Sequence, residues 1–329
     1  MGVKGLIENV THGVTAFFLD VGQGDCTLVV DSATNSALLI DCPSSGVSTL
    51  LSYLKDNSIV LQTLIVTHWD YDHYGGVARV MDAVPTASVY YNVQFWNTNG
   101  NNPRIRTTMK TFLDRDDAQS ALRSAEVGAG GSVGDSVRWS LLAPTHAELT
   151  DASIKGNRNS GSVVVDIQAE GLRILIGGDA EESIWQRLLT EPLLSLSADI
   201  LRWPHHGALL GTDGILGAKL IEAVSPKHVV ISVGTNNVYG HPNQKTIQDA
   251  ITTSRVLCTQ VNRVCLATPH ARNDAVVEGA VPLTPCAGTI VAQSLEGHLH
   301  VTPTTETHQQ TIDSWPAPIC QHGALGQPT

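Results

Sequence analysis

Residues 66–76, VTHWDYDHYGG, place His68, Asp70, Asp72 and His73 within six positions, directly before Gly75 and Gly76. The run before them, LQTLIVTH, has the aliphatic content of a buried strand, and GGVARVMDAV after them has helical spacing. A loop at a strand-to-helix junction can aim several side chains into one cleft. Imidazole and carboxylate together suit Zn²⁺, Mn²⁺ or Fe²⁺. The same arrangement recurs along the chain. LLIDCP ends in Asp41, ILIGGDA in Asp179, and DILRWPHHG in His205 and His206, while VVISVG leads to YGHP and His241. One Asp at a strand end is ordinary turn chemistry. Five such clusters in one chain imply ligands converging on one edge of a layered sheet structure.

The periodicity agrees. Strands are expected over TAFFLD, CTLVVD, SALLIDCP, LQTLIVTH, TASVYYNV, VRWSLLAP, SVVVDIQAE, LRILIGGDA, ADILRWP and KHVVISVG. Helices are expected over VSTLLSYLKDN, GGVARVMDAV, EESIWQRLLT, DGILGAKLIEAV and NQKTIQDAITTS, the last capped by Asn243. A polar-faced helix is also expected over 106–127, and GAGGSVGDS reads as a flexible internal connector. A block of strands, strand–helix alternation and a second block of strands suggest two sheets with helices outside. From about residue 255 the chain becomes richer in Thr, Pro, His and Cys. The expected organisation is therefore a domain over 14–254 and a β-rich C-terminal extension over 255–329, separate or packed on the same domain.

With 42% hydrophobic and 16% charged residues, the 329-residue chain is core-forming. A net charge of −11 argues against a broad basic face for duplex nucleic acid. It leaves room for a nuclease whose bound metal supplies the positive charge. Aromatics at 5% disfavour a base-stacking platform. No run approaches ~20 apolar residues and no signal peptide is evident, so a soluble, cytoplasmic protein without membrane association is expected. Cys26 and Cys42 lie in apolar strand segments and read as buried thiols. Cys258, Cys265, Cys286 and Cys320 follow a C-x6-C-x20-C-x33-C spacing. That spacing is compatible with a structural zinc site, with disulfides or with free thiols, and His270, His298, His300 and His308 are alternative ligands.

The segments FLDVGQGD, LLIDCP, VTHWDYDHYGG, NRNSGSVVV, LIGGDA, LRWPHHGA and ISVGTNNVYGHP, in this order over about 14–252, resemble the metallo-β-lactamase fold hydrolases, and within them the soluble domain of the ComEC competence-protein family. The resemblance implies an α/β fold, a four-layer αβ/βα sandwich, with a one- or two-metal hydrolytic centre. It assigns His68 and Asp70 to a first metal, Asp72 and His73 to a second, and Asp179 to a bridge between them. Asp41 becomes an organiser of ligands. His205 and His241 are both candidates for the last metal ligand, and His206 for a substrate-facing acid. Asp70 stands where the commoner motif has a second His. The usual third-motif His is absent, and NRNSGSV supplies Asn157, Asn159, Ser160 and Ser162 instead. One fewer nitrogen ligand makes Mn²⁺ as fitting as Zn²⁺.

The implied activity is metal-dependent hydrolysis by a metal-bound hydroxide, on a phosphodiester in nucleic acid or a nucleotide. Asp72 or Asp179 would orient the water and take its proton, and Asn157, Ser160 or His206 would steady the oxyanion. Gln23 and Asp25 of the Gly-rich turn would border the cleft. The alternatives are an ester- or lactone-type metallohydrolase, and a catalytically idle metal-binding component of a multi-protein system. The membrane channel of the ComEC family is not in this sequence, so DNA uptake is not implied. Loop 93–106, with Phe95, Trp96, Arg104 and Arg106, is expected to shape the pocket.

Overall fold

The computed structural model describes residues 13–92, 107, 122–235, 237–265, 285–315 and 318–320. Two mixed sheets stack face to face. The first contains β1 (Val14–Phe18), β2 (Thr27–Asp31), β3 (Ser36–Ile40), β4 (Val60–Ile65), β5 (Thr86–Tyr91), β6 (Leu122–Ser124), β14 (Ile290–Leu295) and β15 (His298–Thr302). Its order is β15-β14-β1-β2-β3-β4-β5-β6. The second contains β7 (Gly130–Val133), β8 (Val137–Ala143), β9 (Val164–Ala169), β10 (Leu172–Ile176), β11 (Ile200–Arg202), β12 (His228–Ile231) and β13 (Arg255–Cys258), in unbroken reverse order. Strands β10 to β13 run parallel.

Alternation along the strands separates the layers, because successive side chains leave opposite faces. Ala16, Phe18, Leu38 and Ile40 meet Val165, Ile167, Ile174 and Ile176 between the sheets. Phe17, Leu28 and Leu39 turn outward onto Leu50 and Leu54 of α1 (Val47–Asp56) and Val77 and Val80 of α3 (Val77–Ala83). On the far side, Leu175, Leu201 and Val229 pack on Trp185 of α5 (Glu182–Thr190), Leu220 of α6 (Ile215–Val224) and Ile247 of α7 (Gln244–Ala250). The result is the four-layer sandwich expected from sequence. Central strands such as β2 and β3 are buried along their whole length, which is why they read as unbroken apolar runs. The Asn243 side chain caps α7 by accepting the Lys245 N–H at 2.9 Å.

Two expectations are corrected. The Gly-rich connector contains strand β7, which pairs antiparallel with β8. Its following turn is fixed by Asp31, whose carboxylate accepts the N–H groups of Asp135 and Ser136 at 2.8 and 2.9 Å. A sheet-edge strand held by backbone bonds needs no apolar alternation. The end of the helix expected over 106–127 is instead strand β6; the rest of that stretch, apart from Thr107 and residues 125–127, lies outside the described residues. Of the two arrangements open to the C-terminal stretch, residues 255–258 and 290–302 take the one packed on the same domain. Strand β13 completes the second sheet, and β14 pairs with β1, Ala16 opposite Ala292. Helix α4 (His146–Lys155) was not anticipated, although Thr145 and Glu148 form a reciprocal capping box and Gly156 ends it in the left-handed conformation. No helix among the described residues is long and apolar enough to cross a membrane.

Candidate metal centre

The C-terminal ends of β3, β4, β10 and β11 open on one edge of the sandwich, and each delivers part of the cluster. Beyond β3, Asp41 accepts the Thr67 N–H at 2.8 Å and the Thr67 hydroxyl at 2.6 Å. Two strand ends are thereby clamped side by side. Asp70 precedes the single-turn helix α2 (Tyr71–Tyr74), which carries Asp72 and His73. Gly76 lets this turn close against the β3 loop, since its N–H donates to Cys42 O at 2.8 Å and a Cβ there would sit 2.7 Å from Pro43 O. The Gly-rich turn after β1 meets the same helix, with Asp25 N–H donating to Asp72 O at 3.0 Å.

Asp179 is the hub. His73 Nε2 lies 3.3 Å from its Oδ1, while His68, His206 and His205 Nε2 lie 3.6, 3.8 and 3.9 Å from Oδ2. Hydrogen bonds at the opposite ring nitrogens fix the orientation of three of these imidazoles. His73 Nδ1 donates to Asp41 Oδ2 at 2.8 Å. His206 Nδ1 donates to Ser232 O at 3.0 Å. The Thr67 hydroxyl proton is committed to Asp41, so Thr67 Oγ1 accepts from His68 Nδ1 at 3.1 Å. Each Nε2 lone pair is thus left to the centre, which is how metal-binding histidines are held.

The donor set fits a divalent cation. The Nε2 atoms of His68, His73 and His206 are buried and make no hydrogen bond. Buried polar atoms left that way are costly. The ligand atoms of His68, His73 and Asp179 lie within 4.8 Å of one another, as do those of Asp25, His73 and His206. Electrostatics point the same way. Burial opposes charge on His73, yet Asp179 and Asp41 outweigh it and hold the imidazole well above its ordinary pKa. Burial likewise opposes ionisation of Asp179, but His73, His206 and His68 hold it well below the carboxylate range. His241 is lowered to about 4, by burial first and then by His205 and His206.

A family model described as the metallo-beta-lactamase superfamily matches residues 19–197, just over half of the chain. The chain belongs to this superfamily. Its similarity to ComE operon protein 3 of Bacillus subtilis (strain 168) is 25% identity over 252 residues, covering 70% of this chain and 30% of that protein. Recombination protein 2 of Haemophilus influenzae is 29% identical over 244 residues, covering 70% of this chain and 25% of that protein. The chain therefore spans less than a third of the length of either relative. Among solved structures, the metallo-beta-lactamase fold protein YhfI from Bacillus subtilis aligns with a TM-score of 0.47 and 11% identity, over 76% of this chain and 95% of that one.

Within this superfamily member, the structure gathers His68, Asp70, Asp72, His73, Asp179, His205 and His206 at one centre, beside a cleft of about 430 Å³. Asp41 lies beneath His73, accepting from its Nδ1. His241 stands further out, 5.2 Å from the His205 ring, with its carbonyl accepting from Asn237 and Asn262. His206 is buried, whereas 31% of the His205 side chain is exposed, and both residues line the cleft. Asn157 and Ser160 do not face the cleft. Their side chains donate to Glu181 Oε2 at 2.7 and 2.6 Å, and Arg158 and Asn159 line the cleft instead. Loop 93–106, with Phe95, Trp96, Arg104 and Arg106, and also His270, lie outside the described residues.

Sequence reasoning missed Glu181, Arg158 and Arg202. Arg158 pairs with Asp70 at the cleft. Arg202 is buried against Asp25, which also lies 3.4 Å from His206 Nδ1. An Arg inside the apolar run DILRW was a usable signal, because arginine is almost never buried without a partner. Asp25 accordingly belongs to the centre itself and does more than border the cleft.

Proposed function

We propose that this chain is a metal-dependent hydrolase acting on a phosphodiester, in nucleic acid or a nucleotide. The observation that carries the reading is Asp179 ringed by four imidazole Nε2 atoms at 3.3 to 3.9 Å, with three of them buried and otherwise unbonded. His68, His73 and Asp179 would hold one ion, and His206 with Asp72 or Asp25 a second, either Zn²⁺ or Mn²⁺. A divalent ion there supplies a Lewis acid and brings the pKa of water toward ~7.

The protein's own groups supply the rest. The Asp72 carboxylate is 30% exposed at the cleft, and its Oδ2 lies 3.2 Å from His206 Nε2. Burial raises its pKa, but the adjacent His206 imidazole and the charge of His73 outweigh that, so it stays ionised and can take a proton from the attacking water. The Arg158 fork, 35% exposed, offers bidentate donors to phosphate oxygens. Asn159 Nδ2, 3.5 Å from His205 Nε2, adds a neutral donor beside them. Burial, followed by His206 and His68, lowers the His205 pKa, so a neutral imidazole faces the cleft. The phosphodiester preference also draws on the relatives, one of which is a recombination protein by name.

The test reconstitutes the protein with Zn²⁺ or Mn²⁺ and compares bis-p-nitrophenyl phosphate, short single-stranded DNA and a chromogenic lactam. Phosphodiester turnover is expected, with Asp72→Ala reducing it by about 10²–10⁴-fold, the usual worth of a general base. Turnover of only the lactam, or metal binding with no turnover, would overturn the reading.

A further inference from the structure

Among the described residues, the exposed large side chains include two aromatic rings, Tyr71 at 45% and Tyr239 at 72% exposure. Both line the cleft that holds Asp72 and Asp179. A single exposed ring is ordinary on a protein surface. Two at the mouth of one polar cleft call for a reason. Tyr71 opens α2, one position before Asp72, with Tyr74 set edge-on to it at 5.9 Å. Tyr239 lies in the loop after β12, and Asn237 braces that loop from both ends. Asn237 Oδ1 accepts the Tyr239 N–H at 2.7 Å, and Asn237 Nδ2 donates to His241 O at 3.0 Å. Gly240, at φ +76°, makes the reversal between them.

Planar groups then run from solvent to the centre. The Tyr239 and His241 rings are stacked, 20° apart in plane and 6.3 Å between centroids, a separation typical of offset stacking. His241 lies 5.2 Å from His205, and His205 lies 6.3 Å from His206. A flat uncharged ring on a braced loop offers a π-face. Its complement is another flat group, attached to the phosphate that Arg158 would hold. In a nucleotide that group is the base. Every base has a π-face, so stacking accepts any sequence. An unpaired base is free to stack, whereas a paired one must first be extruded at a cost. The net charge of −11 also disfavours a duplex. An aromatic content of 5% argues against a platform for many bases and leaves room for a subsite for one.

We propose that Tyr239, supported by Tyr71, is a stacking subsite for one unpaired nucleobase beside the phosphodiester to be cleaved. The substrate class is then a single strand or a mononucleotide ester, an inference that rests on the phosphodiester reading of the centre.

The experiment has a turnover arm and a binding arm, each on Zn²⁺- or Mn²⁺-reconstituted protein. The first compares kcat/KM for the p-nitrophenyl ester of thymidine 5′-monophosphate and for methyl p-nitrophenyl phosphate, which share charge and leaving group. The second compares, by calorimetry, thymidine 5′-monophosphate with 2-deoxyribose 5-phosphate, which lacks only the base. In both arms wild type should favour the base-bearing compound by about 5–150-fold, the range one base–aromatic stack commands. Tyr239→Ala should abolish most of that preference, and Tyr239→Phe should keep it. Tyr239 carries the test because its exposure lets the substitution leave the core intact. No preference for the base in wild type would overturn the subsite, and so would a preference that survives Tyr239→Ala. Absence of turnover on both esters counts against the phosphodiester reading alone, and the binding arm then decides the subsite.

Discussion

Arg202, wholly buried on β11, pairs with the carboxylate of Asp25 from the turn after β1, joining the two sheets directly behind the candidate metal ligands. Burial lowers the guanidinium to about 9, so it stays charged at neutral pH. Halving a buried pair is costlier than removing it whole, because the survivor is left as an uncompensated charge.

Arg202→Met is accordingly expected to lower unfolding free energy by about 3–5 kcal/mol, and Asp25→Asn/Arg202→Met to recover much of that loss. Urea unfolding of the two single variants and the double completes the cycle. Strictly additive losses would show that the pair is not coupled.

Gly24 adopts φ +129°, and a Cβ there would lie 2.3 Å from Asp72 O. Gly24→Ala must therefore push the turn off α2 and shift Asp72. Manganese affinity should fall at least about tenfold, a loss typical of disturbed ligand positioning. Calorimetric titration with Mn²⁺ reads this directly, and an unchanged affinity would contradict the account.

The tetrad 157–160 should divide by function. Ser160→Ala and Asn157→Ala remove braces on Glu181 and should each cost about 1 kcal/mol of stability, with rates within about tenfold of wild type. Arg158→Ala should chiefly raise KM for a phosphodiester, and Arg158→Lys should restore it only in part, since lysine lacks the planar fork. Equal effects on kcat from all three would argue against this division.

His228 supplies a pH test remote from the metal centre. Burial first, then Arg255 and Lys227, lowers its pKa from 6.5 to about 4. At neutral pH both folded and unfolded states are unprotonated there. As pH falls from 6.5 toward 4, the unfolded chain takes up a proton that the folded protein refuses, so stability is lost in that window. Allowing for partial exposure, the loss is about 1–2 kcal/mol. Denaturation at pH 7 and pH 4.5 should show a smaller acid loss in His228→Asn than in wild type; equal losses would remove His228 from the explanation.

What was legible in the sequence was local. Strands buried on both faces advertise themselves as apolar runs, and the ligands that follow them are neighbours in the chain. His68, Asp70, Asp72, His73, Asp179 and the His205–His206 pair were therefore readable together. Partnerships across the fold were not. Nothing near Asp25 announces Arg202, and the three residues of a 3-10 turn are too few for any periodicity to show which of Asn157, Arg158, Asn159 and Ser160 turn toward the cleft. Strand β7 carries almost no apolar signal because its pairing is made by backbone alone.

The pairing of β1 with β14 sets an order of events during synthesis. The first strand leaves the ribosome with β2 following closely, but its other neighbour is 272 positions further on, counting from Phe18 to Ile290. Until then one edge of β1 stays open, an unpaired row of backbone groups ready to capture another chain. The nascent chain thus carries its candidate metal ligands through the synthesis of every residue up to β14 before the sheet that supports them is closed.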